Sequence, residues 1–123
     1  MNFTDFIWVF IGGGSGASVR YLLSFLNEKF TGHIPIGTLT ANLLGCLLIG
    51  FFSIIFINKV HIKPHHSLLV ITGFLGGLTT FSTFGLETIH LLEKGHIAKA
   101  VIYVTLNLFI GLFLVIFARK MVS

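Results

Sequence analysis

The chain has 123 residues, of which 54% are hydrophobic and 10% are Asp, Glu, Lys or Arg, with a mean hydropathy of +0.97; an ordinary soluble domain carries roughly 25% charged residues. A spanning helix needs about 20 mostly apolar residues, so four spans consume most of the chain and exclude a soluble catalytic or nucleotide-binding domain. The formal charge of +4 comes from basic residues at the edges of apolar runs, where membrane-flanking Lys and Arg belong, so nucleic acid is excluded as a partner and membrane lipid is the expected surrounding.

The expected fold class is an all-α membrane protein of one domain, 1–123, with four transmembrane helices over about 4–27, 35–58, 66–92 and 97–120. Asp5 precedes the first apolar run and no basic segment does, so a cleaved signal peptide is not expected. In the first span Gly12, Gly16 and Arg20 recur every four residues on one face. Small residues let another backbone approach closely, which reads as a packing stripe. A guanidinium at membrane depth costs at least about 2.5 kcal/mol unless it faces water, an acid or an anion. Two readings of Arg20 are open: a functional site, or snorkelling to the interface.

The second span is uncharged and starts at Pro35, where the missing N–H costs least. Thr38, Asn42 and Gly45 fall at i, i+4 and i+7 on one face. A carboxamide inside an apolar helix must find partners. Either it makes an interhelical hydrogen bond, or its NH₂ donates to a passing anion. Cys46, the one cysteine, permits no intrachain disulfide.

The third span carries the densest signal, the run Thr72-Gly73-Phe74-Leu75-Gly76-Gly77-Leu78-Thr79-Thr80-Phe81-Ser82-Thr83-Phe84-Gly85. Glycine and β-branched residues are poor helix formers, so a break is expected between Gly76 and Ser82. Such a break leaves carbonyls at one half-helix end, suited to cations, and N–H groups at the other, suited to anions. It must be shielded from lipid. Phe81 and Phe84 share a face; they are core packing, or ring edges that meet an anion without offering water.

On the fourth span Tyr103, Asn107 and Gly111 repeat the four-residue spacing, and Tyr103 is also readable as an interfacial belt residue. His61, His65 and His66 cluster between spans two and three but lack the carboxylate or Cys partners of a metal site. No catalytic triad, nucleotide loop or carboxylate pair is present, so no enzyme is expected.

The basic residues do not choose an orientation. Lys59, Lys63, Arg119 and Lys120 fall on one side, and Arg20, Lys29, Lys94 and Lys99 on the other. Either another determinant sets a single orientation, or the chain inserts both ways and pairs with an inverted copy of itself.

Three segments together resemble the small four-helix fluoride channels of the Fluc family, also called CrcB: Gly12-Gly13-Gly14-Ser15-Gly16 with Arg20-Tyr21, the run from Gly37 to Gly45 centred on Thr38 and Asn42, and Gly73 to Phe84. The resemblance covers nearly the whole chain. It implies an inverted homodimer with two pores that passes fluoride passively out of the cytoplasm of a prokaryotic cell, relieving fluoride toxicity. By the same resemblance Asn42, Phe81, Phe84 and Tyr103 line the pore, Thr38, Ser82 and Thr83 add hydroxyls, and Arg20 draws anions into a vestibule. Carbonyls of Gly76 and Thr79 from both subunits would hold a central Na⁺. Residues 106–118 offer only Asn107 as a polar side chain, so no pathway role beyond Tyr103 is carried over to that helix.

Two rivals are distinguishable. A dual-topology drug exporter needs a membrane-embedded carboxylate; the first two spans have none, and Glu87 is read as lying at a span end. A non-conducting partner subunit of a heterodimer would lack the polar residues of the second and third spans, which this chain has.

Overall fold

Four apolar stretches form helical crossings long enough for a membrane: Phe3–Ser24, Ile36–Ile57, Pro64–Glu93 and Ile97–Val122. The computed structural model describes residues 2–29, 34–58 and 63–122, and for 28, 29 and 58 the backbone alone. Lys59 of the charge comparison and His61 of the histidine cluster lie outside the described residues. We label the helices α1 (Phe3–Ser24), α2 (Ile36–Asn58), α3 (64–78), α4 (Phe81–Glu93) and α5 (Ile97–Val122). The third crossing is therefore two helices, with Thr79 and Thr80 extended between them (ψ 153° and 120°). The break falls within the expected window and is confined to two residues.

Glycine decides which helices touch. A methyl group at Gly12 would run into the Leu69 carbonyl, at Gly16 into the Phe74 carbonyl and at Gly77 into the Gly13 carbonyl, so α1 lies backbone to backbone on α3. The packing reading of the α1 glycines is thus the observed one. On the far side α2 runs along α5, where a Cβ at Gly50 would lie 2.6 Å from the Val115 carbonyl oxygen and one at Gly111 3.2 Å from Cys46 Sγ. Helix α4 returns along α5 through a tight turn. Gly95 takes φ +76° there, and the N–H groups of Gly95 and His96 close on the carbonyls of Leu92 and Leu91 at 2.9 and 2.8 Å, the C-terminal pattern that a left-handed glycine makes possible.

Helix starts are also explained locally. Pro64 occupies the first turn of α3, where its missing N–H is an orphan anyway. The carboxamide oxygen of Asn27, in the short helical turn Leu26–Lys29 that follows α1, accepts from the Gly37 N–H at 2.7 Å and caps α2. The interior is small. One cluster joins Leu39, Phe84, Leu91, Ala100 and Tyr103, and another Ala41, Leu75 and Leu78. Phe3, Phe10, Phe109 and Leu112 lie open on the outer faces, the distribution expected of a chain whose surroundings are lipid.

Candidate functional site

Breaking a helix frees backbone groups that must be satisfied inside a membrane. The Thr80 N–H would normally bond the Gly76 carbonyl, but it donates to Asn42 Oδ1 at 2.9 Å. Asn42 Nδ2 returns a bond to the Thr80 carbonyl at 3.3 Å. The side chain thus holds one extended residue by both its backbone groups. The second Nδ2 hydrogen goes to Asn107 Oδ1 at 2.8 Å, which fixes which end of the amide points where. Of the two readings of Asn42, the interhelical bond is what is observed.

The α4 start is capped by Thr80, whose Oγ1 accepts from the Thr83 N–H at 3.2 Å and donates to Thr83 Oγ1 at 3.1 Å. Ser82 Oγ lies 3.3 Å from the same hydroxyl. The N–H groups of Thr80 and Thr83 would, in an unbroken helix, occupy the carbonyls of Gly76 and Thr79; both are engaged elsewhere. Two main-chain oxygens are thereby released from the helical ladder, and Gly76 is exposed. Thr79 Oγ1 turns back to the Leu75 carbonyl at 2.8 Å, and the methyl of Thr79 fills the gap at Gly45.

Phe81 and Phe84 begin α4 with ring centroids 5.5 Å apart. Their environments differ sharply. Phe84 is 7% exposed and lies 5.4 Å from the Tyr103 ring, while Phe81 is 79% exposed. Tyr103 is fully buried, which corrects the belt reading: its ring is core, and its hydroxyl donates to Glu87 Oε2 at 2.6 Å. Thr38 Oγ1 donates to the other carboxylate oxygen at 3.0 Å. Thr38, Asn42 and Gly45 therefore all face the broken crossing, as their spacing indicated.

Glu87 is the residue that sequence reading misplaced. It sits inside α4, not at a span end, so the third crossing does carry an embedded carboxylate of the kind an exporter needs, although the first two carry none. The available signal was its position three residues after Phe84, on that residue's face. Asn107 was noted for its spacing but given no partner. Its Nδ2 bonds the Tyr103 carbonyl four residues back at 3.0 Å, and the helix widens to a π-type turn over Leu106–Ile110, as happens where a side chain enters the ladder.

Arg20 reaches across to α3, its Nε donating to the Gly77 carbonyl at 3.0 Å. It also lines a cavity of about 280 Å³ with Tyr21, Ser24, Thr38, Thr83 and Glu87. The guanidinium therefore faces the protein rather than only the membrane surface. A second cavity, about 350 Å³, opens at the break beside Asn42, Cys46, Thr79, Phe81, Phe84 and Asn107. His65 stacks on Trp8 at 5.2 Å and on His66 at 4.6 Å; among the described residues no group of three or more His, Cys, Asp or Glu side chains is placed to hold a metal ion.

Comparison with known proteins gives the site a context. Residues 7–119 match the family model described as CrcB-like protein, Camphor Resistance (CrcB). A fluoride-specific ion channel FluC of Hydrogenobaculum sp. (strain Y04AAS1) is 45% identical over 115 residues, 94% of each chain. One from Serratia proteamaculans (strain 568) is 48% identical over 100 residues, 81% of this chain and 79% of its own. A fluoride-specific ion channel FluC 1 of Yersinia pestis is 44% identical over 105 residues, 85% and 83% of the two chains.

Proposed function

The chain belongs to the CrcB family, and from that premise we propose that it is a fluoride-selective channel, a multi-pass protein of a bacterial inner membrane that lets fluoride leave the cytoplasm down its gradient. It is no enzyme: its relatives are named as ion channels. The observation that carries the reading is the Thr79–Thr80 break, with Asn42, the Thr80, Ser82 and Thr83 hydroxyls and the Phe81–Phe84 pair gathered on it.

Fluoride is small and strongly hydrated, so a pore must replace its water with donors while binding weakly enough for release. Amide and hydroxyl hydrogens and the positive edges of aromatic rings meet that need without a fixed positive charge. All three polar bonds of Asn42 are in use, and the 3.3 Å bond to the Thr80 carbonyl is the longest of them. That hydrogen is the one an anion takes over at least cost. Arg20, beside the cavity shared with Thr38 and Glu87, raises anion concentration at the mouth. Tyr103 and Thr38 each donate a hydrogen bond to the Glu87 carboxyl group and orient it toward themselves.

The second part of the reading is the assembly, two oppositely oriented copies with two pores. Exposed Phe81 and exposed Gly76 at the break support it, because non-helical backbone at membrane depth needs protein cover. The carbonyls of Gly76 and Thr79, released from the helical ladder, suit a Na⁺ held between the two copies. Such a cation would supply positive potential that offsets the cost of bringing an anion into low dielectric.

Liposomes containing only this protein test the function. Fluoride should leave rapidly and chloride should not, with no collapse of an imposed proton gradient. Equal flux of both halides refutes the selectivity, proton-coupled cation export restores the exporter reading through Glu87, and no flux without a second, similar chain restores the partner-subunit reading.

A further inference from the structure

The ends of α2 and α5 hold a feature that ion passage leaves unexplained. The two helices touch backbone to backbone at Gly50, where a Cβ would lie 2.9 Å from Ala118 Cβ. One turn later Ile54 follows, and past it the helices enclose a groove of about 410 Å³ lined by Ile54, Val115, Ile116, Arg119 and Lys120. Arg119 follows Val115 by four residues and Ile116 by three, and Lys120 follows Ile116 by four. Both cations therefore rise from the helix face that forms the apolar wall. Both are exposed.

Depth matters as much as composition. Ile54 lies four residues before α2 ends at Asn58, and Arg119 and Lys120 lie in the last turn of α5. The apolar wall therefore meets the outer hydrocarbon and the two cations the headgroups. We propose that this groove is a binding site for one anionic phospholipid, its acyl chain along Ile54, Val115 and Ile116 and its phosphate between Arg119 and Lys120. Two like charges on the rim select this occupant. In the inverted pair the two grooves lie at opposite membrane faces and cannot meet, and a parallel copy docked groove to groove would bring Arg119 and Lys120 against their own counterparts.

The proposal does not depend on which ion the protein conducts. It is tested on purified full-length protein by native mass spectrometry with phosphatidylglycerol and phosphatidylcholine of identical chains. Phosphatidylglycerol should be retained about thirtyfold more strongly, the effect of two basic residues at a membrane surface. Arg119→Gln/Lys120→Gln should bring it down to the phosphatidylcholine level. Ile116→Trp keeps both charges and fills the groove, so it should release the lipid as well. Equal retention of both lipids by the parent overturns the proposal. So does retention by Ile116→Trp, which reduces the effect to surface charge, or conversion of a dimer to monomer by that variant in size-exclusion chromatography, which makes the occupant a second copy.

Discussion

A carboxamide offers two hydrogens and one strongly accepting oxygen, and Asn42 uses all three on partners far away in sequence. Its face was legible from the spacing of Thr38, Asn42 and Gly45. Its partners were not, because Thr80 presents free backbone groups only once the helix has broken, and no periodicity encodes that. Replacing Asn42 with Asp keeps an acceptor for the Thr80 N–H but sets a negative charge against the Thr80 carbonyl and Asn107 Oδ1. Fluoride flux from liposomes should fall to background, through loss of the donor and repulsion of the anion. Asn42→Ala instead leaves the half-buried Thr80 N–H unpaired, a cost of about 1–3 kcal/mol, read as a lower midpoint of thermal unfolding. Glu87 was misplaced for a related reason. A single acid near the end of an apolar run reads as an interface residue until Tyr103 and Thr38 are seen to converge on it from two other helices. Tyr103→Phe should cost a similar 1–3 kcal/mol by removing the 2.6 Å bond while leaving the ring packed on Phe84.

At the scale of helices, composition gave the four crossings within a few residues, because an uninterrupted apolar run of about 20 residues satisfies its own backbone in lipid only as a helix. The glycines of α1 show both the reach and the limit of such reading. Spacing set Gly12 and Gly16 apart from Gly13 and Gly14, and Gly16 does lie against the Phe74 carbonyl while Gly14 has nothing within 4 Å. Which helix that face meets depends on the crossing with α3, a tertiary fact. Gly14→Ala should leave the thermal midpoint of the purified protein unchanged or raise it slightly, as Ala is favoured over Gly in a helix by about 1 kcal/mol. Gly16→Ala must push α1 off α3 and should lower the midpoint sharply, since the obstacle is backbone and cannot move aside. A comparable drop for both would mean that α1 is packed on a different face. The break obeys the same division. Poor helix formers announced it, but confinement to Thr79 and Thr80 follows from Asn42 on α2 and the Thr80 cap on α4.

For the whole molecule, the decisive question is what covers the break. One copy leaves Phe81 79% exposed and Gly76 open, with main-chain oxygens released from the helical ladder, and each unsatisfied polar group in hydrocarbon costs several kcal/mol. A second copy is the simplest cover. The eight basic residues divide four against four between the two sides, so they give neither orientation an advantage, and an inverted pair brings two breaks together at the same depth. Parallel copies would meet the same requirement of cover, so the two arrangements must be separated by experiment. Glu93 is exposed at the end of α4, and a Glu93→Cys variant in a Cys46→Ser background keeps all eight basic residues and presents one thiol at a known end of the molecule. In intact cells a membrane-impermeant maleimide should label about half of the protein, and the remainder should react only after the membrane is opened. Complete labelling, or none, before opening would establish one orientation and rule out the inverted pair. Fluoride flux measured on the same preparation keeps the questions apart: a channel that conducts from a single orientation retains its function and loses only this assembly.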